Sequence, residues 1–241
     1  VLFVSDLHLA AVRPSVTSLF LRFLQEVAPG AAALYILGDL FEYWVGDDDI
    51  GTAPNLEVSQ GLLALSRTGT HIRLMHGNRD FLVSADFARA AGVELIPDPT
   101  LIDLHGVPTL LMHGDTLCTE DVAYQAFRSQ VRDPAVQRAF LARPLEERRQ
   151  QVGLMRAQSE QHKRTKAMDI MDVSDAAVAD AFRAHGFPPR LIHGHTHRPG
   201  VHEYSIDGHR CVRWVLSDWD AAGEYLRVGA AGITRVALPP Q

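Results

Sequence analysis

Short apolar runs alternating with amphipathic stretches constrain this chain more than any other feature of its sequence. Val1–Val4, Ala33–Leu37, Ile72–Met75, Thr109–Met112 and Leu191–Ile192 are brief and almost wholly apolar. That is the pattern of strands buried on both faces. Between the first three lie Ser15–Ala28 and Asn55–Arg67, the former placing Leu19, Phe20, Phe23, Leu24 and Val27 at helical spacing. Alternating strand and helix predicts a layered α/β core. From 119 to 186 the strand-like runs stop and helical patterns take over, punctuated by Pro134, Pro144 and the Pro188–Pro189 pair. The chain therefore divides into a core, 1–118, a helical insertion, 119–186, and a second core segment, 187–241. The last segment carries short strands, Val201–Ile206, Val212–Leu216, Tyr225–Val228 and Ile233–Leu238, which predict an antiparallel finish.

At 241 residues the chain can bury a full core without staples. Its formal net charge of -6 argues against a general affinity for nucleic acid, which demands a basic surface. The two cysteines, Cys118 and Cys211, stand far apart and fit a reducing cytoplasm better than a zinc or redox pair. No apolar run approaches the roughly 20 residues that span a bilayer, so membrane contact is expected to be peripheral.

Asp6, His8, Asp39, Asn78, His113, His195 and His197 each fall at or just past the end of an expected strand. Open α/β sheets gather ligands there. An Asp after a strand is ordinarily a turn or cap residue, but the ordered set Asp-x-His, Gly-Asp, Gly-Asn, His-Gly-Asp and Gly-His-x-His is too regular for that. Oxygen and imidazole donors without thiolate suit manganese first, with magnesium or iron as alternatives. Two dipositive ions held by only two carboxylates, Asp6 and Asp39, leave excess positive charge that attracts phosphate. Paired metals roughly 3.5 to 4 Å apart can share an acidified water and clamp the oxygens of an in-line displacement at phosphorus. Asp39 is the candidate bridge.

These motifs resemble those of the calcineurin-like metallophosphoesterases. The resemblance implies a four-layer α/β/β/α sandwich, with a helical cap insertion in this chain. It also implies one metal on Asp6, His8, Asp39 and His197 and a second on Asp39, Asn78, His113 and His195. The chain departs from the superfamily at Gly77-Asn78-Arg79-Asp80, where His commonly replaces Arg79. Arginine cannot act as a general acid at neutral pH. A phosphate monoester leaving group, with a second pKa of about 6, needs no proton, whereas an alkoxide does. Arg79 therefore favours cleavage of a diphosphate, to which it offers charge and paired donors.

Longer strings, Tyr35-Ile-Leu-Gly-Asp-Leu-Phe-Glu, Gly46-Asp-Asp-Asp, His76-Gly-Asn-Arg-Asp-Phe-Leu, His113-Gly-Asp-Thr-Leu-Cys-Thr and Ile192-His-Gly-His-Thr-His-Arg-Pro, are similar to the UDP-2,3-diacylglucosamine pyrophosphatase family of lipid A biosynthesis in Gram-negative bacteria. That resemblance implies two Mn2+ ions per chain. It further implies hydrolysis of the acylated UDP-glucosamine glycolipid to UMP and 2,3-diacylglucosamine 1-phosphate, with water attacking the phosphorus next to uridine. A monomer lying peripherally on the cytoplasmic face of the inner membrane is the matching expectation. Substrate contacts are implied at Asn78, Arg79, Asp121, Ser159, Lys163, Lys166 and His195. Within the insertion, Arg148, Arg149, Arg156, Lys163, Arg164 and Lys166 are expected to form a basic surface beside apolar Phe127, Phe140, Leu141, Leu145, Val152, Leu154 and Met155, suited to an anionic glycolipid. The run Asp47-Asp48-Asp49 is expected to be solvated loop, and Trp44, Trp214 and Trp219 to be packing residues. Two other readings compete: the same site acting on a soluble nucleotide diphosphate or phosphodiester, and a scaffold that has lost catalysis. The greasy cap opposes the first and the complete ligand set the second.

Overall fold

The computed structural model of the chain describes residues 1–163 and 172–239, with side chains up to 156 and from 172 onward. Its strands are β1 Leu2–Val4, β2 Ala33–Leu37, β3 His71–Met75, β4 Glu94–Ile96, β5 Thr100–Leu104, β6 Val107–Leu111, β7 Arg190–His193, β8 Gly200–Ile206, β9 His209–Val215, β10 Gly223–Gly229 and β11 Gly232–Leu238. Its α-helices are α1 Pro14–Arg22, α2 Asn55–Ser66, α3 Ala85–Ala91, α4 Val122–Val131, α5 Pro134–Leu141, α6 Leu145–Lys163 and α7 Asp175–Ala184.

The strands form two sheets, β11-β10-β1-β2-β3-β4 and β5-β6-β7-β9-β8. β1 to β4 pair in parallel, as do β6, β7 and β9. The strand period of two explains the layering. Leu2 and Val4 of β1, with Leu34 and Ile36 of β2, face a cluster under α1 and α2 that includes Phe20, Phe23 and Trp219. Phe3, Tyr35 and Leu37 face the other way and meet Leu111, Ile192 and Leu226 between the sheets. Leu110 and Leu191 then face outward onto Val178 and Phe182 of α7. Every central strand thus buries both faces, each fully buried apolar side chain contributing about 1.5–3 kcal/mol. The result is the helix, sheet, sheet, helix sandwich that the resemblance implies, built on the layered α/β core that the apolar runs predict.

The stretch 119–186 holds two kinds of helix. The last of them, α7, buries Val178 and Phe182 against the five-stranded sheet and forms the outer layer of the core. By contrast, α4 and α5 bury no residue and project as a cap. Two features expected to be solvent-facing tie this cap to the core. Arg148 is only 2 % exposed and bonds the Val45 carbonyl and Asp48, while Arg149 pairs with Asp49 and Arg156 with Glu42. Asp48 and Asp49 thus pair with Arg148 and Arg149, although the Asp48 side chain stays 57 % exposed. Asp47, the first of the run, instead caps α3: it accepts from the Ser84 and Phe87 amides at 3.1 and 2.8 Å. It also accepts from the Trp44 indole at 2.9 Å. Trp44 and Trp219 are buried and Trp214 packs partly buried between the sheets, in keeping with the packing role expected of them.

Candidate metal centre

The carboxyl ends of β1, β2, β3, β6 and β7 point the same way, so the residues after them meet. Asp6 N donates to the Gly38 carbonyl at 3.1 Å, and His8 N to the Asp39 carbonyl at 3.0 Å. His195 N donates to Asp6 Oδ2 at 2.8 Å, and Arg79 N to Asp39 Oδ1 at 2.8 Å. Five of the gathered residues, Asp6, His8, Asp39, His195 and His197, have φ between 50° and 69°. Side chains other than glycine pay for that left-handed conformation, and its concentration at one place marks a functional turn set. Close approach demands glycine at two neighbours: a Cβ on Gly77 would lie 2.0 Å from Asp39 Oδ1, and one on Gly194 would lie 2.2 Å from Asp6 Oδ2.

Two groups of donors result. Asp6, His8 and His197 bring ligand atoms within 4.8 Å of one another, as do Asp6, Asp39 and His113. His8 Nε2 is 3.2 Å from His197 Nε2 and 3.9 Å from Asp39 Oδ2. Asn78 Oδ1 extends the second group, 3.1 Å from His113 Nε2 and 3.0 Å from His195 Nδ1. Asp6 therefore stands in both groups, beside the expected bridge Asp39.

The donor set fits cations. His113 Nδ1 donates to the Leu37 carbonyl at 2.9 Å, so a neutral ring turns its Nε2 lone pair toward the Asn78 oxygen. Two such atoms repel unless a proton or a cation lies between them. Burial disfavours the imidazolium, yet Asp39, Asp115 and Asp6 outweigh it and hold His113 up at about 9. A proton thus takes a place that a metal ion suits. Asp6 Oδ1 is buried without a hydrogen-bond donor, a second demand for positive charge. His195, by burial and then the His113 charge, is pushed down to about 3 and offers a lone pair.

A ring of supporting residues carries no signal of spacing in the sequence. Glu42 is 6 % exposed and holds two guanidinium groups, Arg79 Nη1 at 2.9 Å and Arg156 Nε of the cap at 3.0 Å, and its other oxygen lies 3.3 Å from His8 Nδ1. Asp80 accepts from the Leu40, Phe41 and Gly77 amides and so locks the β2 and β3 loops together. Asp218 lies 3.4 Å from His197 Nδ1. Asp115 accepts from Tyr124 at 2.6 Å and Arg128 at 2.7 Å, and Arg132 donates to the Gly77 carbonyl at 2.7 Å. These bonds seat α4 over the second group. Only adjacency within the motifs (Asp80 after Arg79, Asp115 after Gly114) could have flagged any of them.

Of the expected substrate contacts, Asn78 and His195 stand in the second group, and Arg79 lies beside it with its amide on Asp39 and its guanidinium on Glu42. Asp121 is the N-cap of α4 and accepts from the Tyr124 amide at 3.0 Å. The Ser159 and Lys163 side chains, and Lys166 altogether, lie outside the described residues.

A two-sheet sandwich with buried carboxylates and imidazoles at its strand ends defines a metal-dependent phosphoesterase. Residues 1–199 match the calcineurin-like phosphoesterase family, and the chain belongs to it. Its near-full-length relatives are narrower in name. It is 54% identical over 231 residues to a UDP-2,3-diacylglucosamine hydrolase of Aromatoleum aromaticum, covering 96% of this chain and 94% of that one. Proteins of the same name from Xanthomonas campestris pv. campestris and Nitrosococcus oceani are each 50% identical, covering 96% and 90% of this chain and 96% and 86% of theirs. The chain belongs with this branch of the family.

Proposed function

We propose that the chain hydrolyses the diphosphate of UDP-2,3-diacylglucosamine to UMP and 2,3-diacylglucosamine 1-phosphate, using two Mn2+ ions per chain. The observation that carries this reading is Arg79 at the mouth of the ligand cluster. Its main chain is pinned to Asp39 and its Nη1 to Glu42, while Nε and Nη2 take no partner among the described residues. Those donors are free for diphosphate oxygens, and a guanidinium keeps its charge throughout. Asp6, His8, Asp39 and His197 would hold one ion, and Asp39, Asn78, His113 and His195 the other. Such ions, when bound, supply an acidified water and charge stabilisation at phosphorus. Arg79 adds charge where the leaving phosphate develops it, and no protein acid is required.

The cap supports a lipid substrate. Val122 is 73 % and Leu154 68 % exposed, with Phe127, Val136, Leu141 and Met155 also open to solvent. A helical patch of that kind suits acyl chains and peripheral contact with the inner-membrane surface by a monomer on its cytoplasmic face. No helix among the described residues is long and apolar enough to cross a membrane. The test is product identification from UDP-2,3-diacylglucosamine in detergent, with and without manganese, in water labelled with oxygen-18. The label is expected in UMP. Label in the sugar phosphate, or equal turnover of UDP-glucose, contradicts the proposal.

A further inference from the structure

The two halves of the ligand cluster adjoin different spaces. Asn78, in the His113 half, lines a cleft under α4 together with Phe81, Tyr124, Phe127 and Arg132. The His8 half adjoins a separate cavity of about 250 Å³ lined by Leu9, Ala11, Tyr43, Asp49, Pro54 and Arg149. Its first wall follows His8 directly in the chain, and Ala10 Cα lies two residues, at most about 7 Å, beyond His8 Cα. Its second wall begins with Tyr43, next to the Glu42 that touches His8 and Arg79.

We propose that this second cavity seats the nucleoside end of the substrate. The inference rests on the diphosphatase reading above. A diphosphate spanning both halves of the cluster sends its two substituents in opposite directions, so one of them leaves on the His8 side, toward this cavity. The cavity has room for a ribose and a base, being close to the roughly 300 Å³ lower bound of small-ligand sites. Its lining also matches a nucleoside. Tyr43 is 39 % exposed at the rim, makes no hydrogen bond among the described residues, and offers a face on which a pyrimidine stacks. Asp49 is 6 % exposed and spends Oδ1 on Thr52 and Arg149, leaving Oδ2 without a donor among the described residues. Ribose hydroxyls supply that donor. Arg149 neutralises Asp49, so the carboxylate does not repel an anionic nucleotide.

The test is titration calorimetry of the full chain loaded with manganese, with UMP as ligand and inorganic phosphate as control. Tyr43→Ala removes the stacking face and Ala11→Trp fills the cavity from an exposed position, so both variants keep the fold, which a thermal melt checks. UMP affinity is expected to fall about fivefold or more in Tyr43→Ala and further in Ala11→Trp, with phosphate affinity unchanged. The inference is overturned by wild-type protein that binds UMP no better than phosphate, by UMP affinity unmoved in both variants, or by UMP and phosphate weakening in parallel. Turnover of the acylated UDP-sugar is read separately. Its absence, with UMP binding as described, sinks the diphosphatase reading and leaves a nucleotide cavity; turnover with an indifferent cavity sinks only the cavity.

Discussion

Replacing Glu42 by Gln removes one negative charge from among His8, Arg79 and Arg156 while keeping the shape and one acceptor oxygen. Burial alone pushes the Glu42 carboxyl up, but its bond to His8 and the charges of Arg79 and Arg156 prevail and hold it at about 2. Against an ordinary glutamate near 4.5, that difference corresponds to roughly 3 kcal/mol, at about 1.4 kcal/mol per tenfold. The Arg79 and Arg156 side chains are 16 % and 32 % exposed, so solvent screening reduces the figure to about 2 kcal/mol. The sign follows from a pKa lowered on folding. The stabilisation is complete above about pH 4.5 and disappears as pH falls toward 2. Urea unfolding of metal-free wild type and Glu42→Gln at pH 7 and at pH 3 isolates it, since other carboxylates titrate alike in both proteins. The difference in unfolding free energy is expected to be about 2 kcal/mol at pH 7 and well under half of that at pH 3. A difference that is below about 0.5 kcal/mol at pH 7, or the same at both pH values, would refute the role given to these ion pairs.

Other consequences are equally direct. Gly77→Ala puts a methyl group 2.0 Å from Asp39 Oδ1 and 2.3 Å from the Asp39 amide, so a loss of about 3 kcal/mol or more and of manganese binding is expected in unfolding and metal-titration assays. Arg79→Lys keeps a charge but loses the planar pair of donors; kcat/KM on the diphosphate is expected to drop about 100-fold, with manganese affinity nearly unchanged. Cys118 and Cys211 are buried, and burial followed by the Asp115 charge pushes the Cys118 thiol up to about 12, with burial also raising Cys211. A disulfide reagent at pH 8 is expected to modify both thiols at least about 1,000-fold more slowly in the folded chain than in urea.

Much of the fold was legible because the central strands bury both faces and so appear as apolar runs. Ala33–Leu37 is the same segment in sequence and structure. What escaped notice was polar or short. β4 covers only Glu94–Ile96, β5 carries Asp103, and α3 gains its N-terminal cap from Asp47, almost 40 residues away. The placement of Asp6, His8, Asp39, Asn78, His113, His195 and His197 together was readable because each follows a strand of a parallel sheet. The surrounding pairs were not. Glu42 meets Arg156 and Asp49 meets Arg149 across about 100 residues, and no periodicity encodes such a pairing. For the same reason the pairing of Asp48 and Asp49 with Arg148 and Arg149 was not visible in either segment alone. Left-handed φ values on Asp and His, unlike those on Gly, also leave no mark in composition.

The account stands on the clustered carboxylates and imidazoles seating cations, and counting manganese tests that most directly. Equilibrium dialysis of the metal-free chain, followed by elemental analysis, is expected to give two tightly held ions per chain. His113→Ala and His8→Ala are each expected to retain no more than one. Two ions held with unchanged affinity in both variants, or none in the wild type, would contradict it.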